Sequence, residues 1–179
     1  EPEVRRFIDW FCNLPIKYKI FVAGNHDTSI EKKLVTKEDF SKHGVIYLEN
    51  ETVEIEGLNI FGSPHTPMFG NWAFMKHRHK LDRIWDKAIP DNADIIICHG
   101  PPKGILDLSY DRNNLMERCG DKSLMNRVYE VQPKLVLFGH IHNNKDIVNA
   151  GTRTLFELDT IFSNGSVVTD GKFGRLSSN

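Results

Sequence analysis

Three short apolar segments end in side chains that carry nitrogen or oxygen donors, and this pattern constrains the fold more than any other feature. The segments are KIFVAG at residues 19–24, DIIIC at residues 94–98 and KLVLFG at residues 134–139. A short run of this kind is typical of a strand buried in a sheet. The side chains that follow them are Asn25, His26 and Asp27, then His99, then His140 and His142. Because ligands of open α/β sheets bind beyond the carboxyl ends of the strands, we predict that these side chains converge.

The remaining segments predict a mixed α/β fold. Apolar residues at helical spacing, such as Val4, Phe7, Ile8 and Phe11, indicate a helix over residues 1–13. Further helices are expected at residues 36–43, where Thr36 and Asp39 form a capping box, at 78–87 and at 122–131. Residues 45–64 alternate like antiparallel strands, and RTLFELD and SVVTDGKFG indicate later strands and turns. We therefore expect an α/β sandwich of two facing sheets in one domain, residues 1–179.

Composition excludes several classes of protein. The chain has 179 residues and is 40% hydrophobic, which is enough for one sizeable core. Its formal net charge of −1 does not predict bulk nucleic-acid binding, and no apolar run approaches the ~20 residues of a membrane span. Cys12, Cys98 and Cys119 are widely spaced, which favours free thiols and a cytoplasmic protein. A secreted protein with one disulfide is the alternative.

The segment Gly139-His140-Ile141-His142 carries the most specific local signal. In an extended segment, residues i and i+2 point the same way and lie about 6.6 Å apart. Two imidazoles so placed can each bind one metal of a close pair, and Gly139 is expected to let the backbone turn there. The alternative is that each histidine is a hydrogen-bonded structural residue and that Asn25-His26-Asp27 is only a turn. Taken together, the strand ends predict a metal site.

The same residues resemble a known family. Gly24-Asn25-His26-Asp27, His99-Gly100 and Gly139-His140-Ile141-His142 resemble, in that order, the later signature blocks of the calcineurin-like metallophosphoesterases, over roughly residues 1–145. FGSPHTPMFGNWAF at residues 61–74 and HGPPKGILD at residues 99–107 resemble the metallophosphoesterase-domain-containing group, which has reported cyclic-nucleotide phosphodiesterase activity. The resemblance implies a four-layer α/β/β/α metallo-dependent phosphatase sandwich. It also implies an enzyme that hydrolyses a phosphodiester, with a phosphomonoesterase or protein phosphatase as the alternative.

The resemblance also implies a role for each residue of the strand ends. Asn25, His99 and His140 would ligate one of two divalent ions (Mn, Fe or Zn), and His142 would ligate the other. His26 would contact the phosphate of a small-molecule or nucleotide substrate and protonate the leaving oxygen. Asp27 would orient His26, since a carboxylate orients an imidazole and raises its basicity. A hydroxide that bridges the metals would attack phosphorus in line.

Two blocks of the family pattern are absent from the sequence before Gly24. These are an Asp-x-His and a Gly-Asp, which would supply the bridging aspartate and most ligands of the second metal. Gly120-Asp121 has the right letters but comes late, at a predicted helix start where Asp is a common N-cap. We therefore expect a longer parent protein that carries the missing N-terminal strands. The alternative is a self-sufficient chain with at most one metal, which would be a non-catalytic metal-binding or scaffold domain.

Several residues near the predicted site have two interpretations. MKHRHK at residues 75–80 is either a solvated helix start or a phosphate contact through His77, Arg78 or His79. His65 is expected to line the substrate cleft. Phe69 and Trp72 either stack on a nucleobase or belong, with Phe74, to the core. Cys98 is predicted to be a small buried hydrophobe rather than a nucleophile.

Overall fold

The computed structural model describes residues 1–144 and 146–167. The helices are α1 (Pro2–Cys12), α2 (Thr28–Glu31), α3 (Lys37–Ser41), α4 (Arg78–Ala88) and α5 (Lys122–Val131). The strands are β1 (Lys19–Phe21), β2 (Val45–Tyr47), β3 (Glu51–Ile55), β4 (Leu58–Ser63), β5 (Thr66–Pro67), β6 (Met75–Lys76), β7 (Ile95–Cys98), β8 (Leu108–Tyr110), β9 (Met116–Arg118), β10 (Leu135–Phe138), β11 (Gly151–Leu155) and β12 (Leu158–Asn164). The predicted segment SVVTDGKFG lies, from residue 168 on, outside the described residues.

A six-stranded sheet forms the larger half of the molecule. Its strands follow the order β11-β12-β10-β7-β4-β3. The four inner strands are parallel, and the outer pairs β3–β4 and β11–β12 are antiparallel. Strands β7 and β10 are neighbours, and the Gly139 N–H donates to the His99 carbonyl just beyond their ends, at 3.0 Å. The two histidine-bearing strand ends therefore lie side by side, as the sequence predicts.

A two-stranded sheet forms the smaller half. Strands β1 and β2 are parallel, with Lys19 opposite Val45 and Phe21 opposite Tyr47. The prediction that residues 45–64 form antiparallel strands is therefore wrong for Val45–Tyr47 and right for the β3–β4 hairpin. Val45 and Tyr47 are buried in a core with Phe40 of α3, and this packing holds β2 against β1. Alternation predicts a strand but not its partner, because the partner depends on such tertiary contacts.

Helices cover the outer face of each sheet. Helices α4 and α5 pack on the large sheet through Trp85 and Val128, which share a core with Phe61, Val136 and Phe162. On the other side of the molecule, α1 and α3 pack on β1 and β2.

The inner faces of the two sheets meet at Gly62 of β4. A Cβ atom added to Gly62 would lie 2.4 Å from the Leu48 Cβ and 3.0 Å from a methyl group of Val22, so the sheets approach too closely for any larger residue. The layers follow the predicted order α/β/β/α. None of the helices in the described residues is long and apolar enough to cross a membrane.

Candidate functional site

The ends of β1, β7 and β10 bring three donor groups together. Nε2 of His99 lies 2.7 Å from Oδ1 of Asn25, and the centroids of the His99 and His140 rings are 4.7 Å apart. Asn25 follows the small sheet, whereas His99 and His140 follow the large one. The predicted convergence is therefore observed for Asn25, His99 and His140. Asn25 of the small sheet is at least 74 positions away in sequence from the two histidines of the large sheet.

Gly24 determines how closely the two halves approach at the site. A Cβ atom on Gly24 would lie 2.4 Å from Cε1 and 2.7 Å from Nδ1 of His99, well inside van der Waals contact. Only glycine therefore leaves room for the His99 ring in the position from which its Nε2 reaches Asn25. The glycine of the Gly24-Asn25 pair has a steric role at the site itself.

The turn after β10 is made by His140 rather than by Gly139. His140 has a φ of 69°, in the left-handed region that few non-glycine residues adopt. Gly139 does not have a positive φ, and a Cβ atom there would meet only the Ser166 hydroxyl at 3.7 Å. The expectation that Gly139 provides the turn is therefore wrong. Backbone strain of this kind persists only where the surroundings enforce it, and it concentrates at functional sites.

Two buried asparagines hold the strained segment in place. Nδ2 of Asn149 donates to the His142 carbonyl at 2.8 Å, and Nδ2 of Asn164 donates to the Ile141 carbonyl at 2.9 Å. Asn164 is the last residue of β12 and begins the sequence Asn-Gly-Ser, which is a common turn signal. Asn149 carries no recognisable signal, because its partners are distant in sequence. Both residues support the His140–His142 segment from behind.

Burial keeps two of the histidines neutral. Burial lowers the pKa of His99 to about 3, helped by the positive charges that His140, His26 and His142 would carry. Burial likewise lowers the pKa of His140 to about 4, and the charges of His142 and His26 act in the same direction. Both imidazoles are therefore uncharged at neutral pH, which is the form that coordinates a metal.

His26 and Asp27 lie at the turn after Asn25. The His26 ring packs edge-on against Trp72, with centroids 4.8 Å apart. The Asp27 carboxylate accepts the Gly24 N–H at 2.6 Å. Burial raises the pKa of Asp27, while this hydrogen bond and the charge of His26 oppose the rise. Asp27 thus stabilises the turn that presents Asn25, and its role in orienting His26 stays a prediction.

A cleft of about 600 Å³ opens beside the histidines and is lined by His140, His142, Met68 and Phe69, among others. Phe69 is 61% exposed, and its ring centroid is 5.6 Å from that of His140. Trp72 is 46% exposed, whereas Phe74 is buried. The core interpretation is therefore right for Phe74 and wrong for Phe69 and Trp72, which present aromatic surface beside the site.

The basic cluster and His65 have mainly structural contacts. Arg78 donates to the carbonyls of Gly120 and Cys119, at 2.9 and 3.2 Å, although it also lines the cleft. The rings of His77 and His79 stack on each other, with centroids 5.6 Å apart.

His65 is buried and lies outside the lining of the cleft, so the expectation that it lines the cleft is wrong. Its Nδ1 donates to the Phe74 carbonyl at 3.0 Å, and its Nε2 accepts from Asn50 at 3.1 Å. Cys98 is buried as predicted, and burial raises the pKa of its thiol.

The converging donors are of two kinds, nitrogen and oxygen, and together they suit a divalent ion. Within residues 1–144 and 146–167, no three His, Cys, Asp or Glu side chains lie close enough together to hold a metal. The donors that converge are two neutral imidazoles, of His99 and His140, and the amide oxygen of Asn25. Imidazole suits Zn and Fe, and amide oxygen suits Mn. His142 lines the adjoining cleft.

The comparisons with known proteins identify the family of this chain. Residues 1–144 match the model of the family Calcineurin-like phosphoesterase, and the chain belongs to that family. The chain is 36% identical over 176 residues to "Metallophosphoesterase domain-containing protein 1" of Homo sapiens, with 85% of this chain and 53% of that protein covered. The protein of the same name from Mus musculus matches to the same extent. The chain therefore spans about half the length of these curated relatives.

A solved structure shares the fold. It superposes with a TM-score of 0.62 at 16% identity, covering 92% of this chain and 63% of the other. At that identity the likeness concerns the fold alone. Together with the family match, it confirms the metallo-dependent phosphatase fold and the resemblance that the three strand-end motifs indicate.

Proposed function

We propose that this chain is part of an enzyme that hydrolyses a phosphodiester with the help of divalent metal ions, which are Mn, Fe or Zn. One observation carries the proposal: the amide oxygen of Asn25 and the neutral imidazoles of His99 and His140 meet at the ends of three strands, beside an open cleft. Membership of the calcineurin-like family supports metal-dependent phosphoester hydrolysis in general.

Each residue of the site has a role in this proposal. Asn25, His99 and His140 would hold one ion, and His142 would ligate the other. The ions, when bound, supply the positive charge that activates water and stabilises the phosphoryl oxygens. His26 lies at the same turn, with its ring against Trp72, and provides a proton for the leaving-group oxygen. Asp27 fixes this turn through the Gly24 N–H.

The shape of the cleft favours a diester over a monoester. A diester carries a group on each side of phosphorus, so one group must be accommodated beyond the metal-binding residues. The cleft of about 600 Å³ extends from His140 and His142 to Phe69 and Tyr110, and provides this room. The exposed ring of Phe69 is suited to stack on an aromatic group such as a nucleobase.

We also propose a cytoplasmic location, supported by the free thiols of Cys12, Cys98 and Cys119.

The test compares bis(p-nitrophenyl) phosphate with p-nitrophenyl phosphate, each with the complete enzyme of which this chain is part and with Mn²⁺, Fe²⁺ or Zn²⁺. We expect metal-dependent release of p-nitrophenol, with the larger kcat/KM for the diester. The variant His99→Ala should lose most of this activity, because it removes a metal ligand. A larger kcat/KM for the monoester would favour the phosphomonoesterase alternative. Metal binding without hydrolysis of either ester would favour a non-catalytic metal-binding domain.

A further inference from the structure

A β-hairpin that the sequence did not predict forms part of the wall of the cleft. Strands β8 and β9 pair antiparallel, with Leu108 opposite Arg118 and Tyr110 opposite Met116. Residues of both strands and of the intervening loop line the same cleft as His140 and His142. A ligand whose phosphoester lies at the histidines would therefore share the cleft with this hairpin.

The base of the hairpin is held firmly by a buried carboxylate. Asp107 has no exposed surface, and it accepts the N–H groups of Gly104 at 2.8 Å and of Gly120 at 3.2 Å. It also accepts a hydrogen bond from the Arg118 guanidinium at 2.9 Å. Because Asp107 precedes β8 and Gly120 follows β9, both ends of the hairpin are tied to one group.

The far end of the hairpin is ordered as well. Asp111 accepts the N–H groups of Asn113 at 2.9 Å and of Leu115 at 2.7 Å, which closes the loop. The Tyr110 hydroxyl donates to Asp146 at 2.9 Å and so ties the hairpin to the segment after His142. The loop residue Arg112 is thereby presented at a defined position in the wall of the cleft.

The arginines that line the cleft differ in whether their guanidinium groups already have partners. Arg118 pairs with Asp107, and Arg78 donates to two carbonyls and lies 3.5 Å from Asp121. Arg112 is exposed and has no hydrogen-bond or ion-pair partner among residues 1–144 and 146–167.

The carboxylates of the cleft leave Arg112 without a counterion. Asp111 is engaged by the N–H groups of its own loop, and Glu117 lies 4.0 Å from the Cys119 sulfur. Arg112 is therefore the arginine of the cleft that is available to a ligand.

We propose that Arg112 binds a second anionic group of the substrate and makes the cleft selective for a nucleotide phosphodiester that carries an additional phosphate, so that its hydrolysis leaves a nucleoside bisphosphate. A guanidinium presents paired N–H donors that match two oxygens of a phosphate. The cleft volume of about 600 Å³ lies within the range of about 300–1,000 Å³ typical of small-molecule sites. The inference rests on the proposed function only for the position of the scissile phosphoester at the histidines.

The test measures binding rather than turnover. Thymidine 3′,5′-bisphosphate and thymidine 5′-monophosphate, which differ by one phosphate, are titrated into the Mn²⁺-loaded protein by isothermal titration calorimetry. The proteins are the wild type, Arg112→Gln and Arg83→Gln, a control that removes an exposed arginine of α4 outside the cleft. We expect the wild type to bind the bisphosphate about tenfold more tightly, the size expected of one charge-assisted contact.

Arg112→Gln should reduce this preference below about twofold, and Arg83→Gln should retain it. A preference that survives in Arg112→Gln, or a wild type that shows no preference, overturns the proposal. Thermal unfolding of each variant establishes that the fold is intact. If the preference holds while no ester is hydrolysed, the proposed function fails and this inference stands. If diester hydrolysis persists without the preference, only this inference fails.

Discussion

The large sheet and the small sheet each supply donors to one site, but they are supported differently. His99 and His140 follow β7 and β10, which are neighbours in the middle of a six-stranded sheet with pairing strands on both sides. Asn25 follows β1, a strand of three residues whose partner in the described residues is β2 alone. Isolated two-stranded pairs are marginal in water, so α1 and α3 supply much of the stability of the small half.

This difference indicates where the site is vulnerable. The contacts that join the halves at the site are the His99–Asn25 hydrogen bond and the close packing of His99 on Gly24. If the small half opens, the large half keeps its two imidazoles but loses the amide oxygen. Local opening occurs most readily where few buried contacts support the backbone. We therefore expect metal binding to depend on the stability of the small half more than on that of the large one.

The largest expected effect comes from creating a cavity in either hydrophobic core. Phe162 of the large core and Phe40 of the small core are both fully buried. Replacing either by Ala should lower the free energy of unfolding of the half that contains it by about 3–5 kcal/mol. Phe162→Ala should lower the free energy of global unfolding in urea. Phe40→Ala should speed hydrogen exchange in α3 and β2 while β7 and β10 stay protected. An equal loss of hydrogen-exchange protection in both sheets, in either variant, would show that the two halves unfold as one cooperative unit. That result would contradict the difference in support between the halves.

A matched pair of glycine variants tests the contact between Gly24 and His99, which joins the two halves. Gly24→Ala places a methyl group 2.4 Å from His99 and must displace the ring, whereas Gly139→Ala meets only the Ser166 hydroxyl at 3.7 Å. We expect Gly24→Ala to weaken Mn²⁺ binding about 10–100-fold, as for the loss of a group that orients a ligand. Gly139→Ala should bind Mn²⁺ nearly as well as the wild type. Calorimetric titration measures both, and equal affinities would contradict the steric role of Gly24.

The buried asparagine behind the histidine segment sharpens the comparison within the large half. Asn149 donates to the carbonyls of His142 and Leu108 and accepts the Leu108 N–H. Asn149→Ala leaves these half-buried groups unpaired, so it should cost about 1–3 kcal/mol in the free energy of unfolding. The control is Asn113→Ala, in an exposed loop. Denaturant unfolding that shows the same loss in both variants would contradict this role.

The smallest effect is a pH dependence at His65. Burial lowers the pKa of His65 in the folded state, a nearby Lys76 lowers it further, and Glu49 and Glu31 oppose the change. The unfolded chain has a pKa of about 6.5 and therefore binds more protons as the pH falls below that value. Folding stability should consequently decline from pH 6.5 downward until the folded-state pKa is passed.

The variant His65→Asn isolates this effect, because it keeps an N–H donor for the Phe74 carbonyl but does not titrate. We expect its unfolding free energy to change less between pH 7 and pH 5 than that of the wild type, as measured by urea unfolding. An identical pH dependence in both proteins would show that His65 does not contribute to it.

Local patterns in the sequence predict much of this molecule. The periodicity of Phe7 and Phe11 gives α1, and the capping box of Thr36 and Asp39 is present, with the Asp39 carboxylate accepting the Thr36 N–H at 2.8 Å. The three apolar runs give β1, β7 and β10 and locate their polar ends. These features depend on neighbours in sequence, which is why a single sequence is sufficient to predict them.

Local patterns do not predict three further features, of which the first is local and the other two depend on distant partners. The β8–β9 hairpin has no Asn-Gly signal, because its turn is closed by the Asp111 side chain. The parallel pairing of β2 depends on the small core. The left-handed turn at His140 depends on support from Asn149 and Asn164, so it is visible only once those residues are placed.

The central claim is that Asn25, His99 and His140 hold a divalent metal between the two halves. The most direct test is the Mn²⁺ content per chain, measured by elemental analysis after dialysis against Mn²⁺, for the wild type and for His99→Ala. We predict at least one tightly held ion per wild-type chain and its loss in His99→Ala, with the fold of both proteins intact by circular dichroism. A folded wild type without bound Mn²⁺, or equal Mn²⁺ content in both proteins, would contradict the claim.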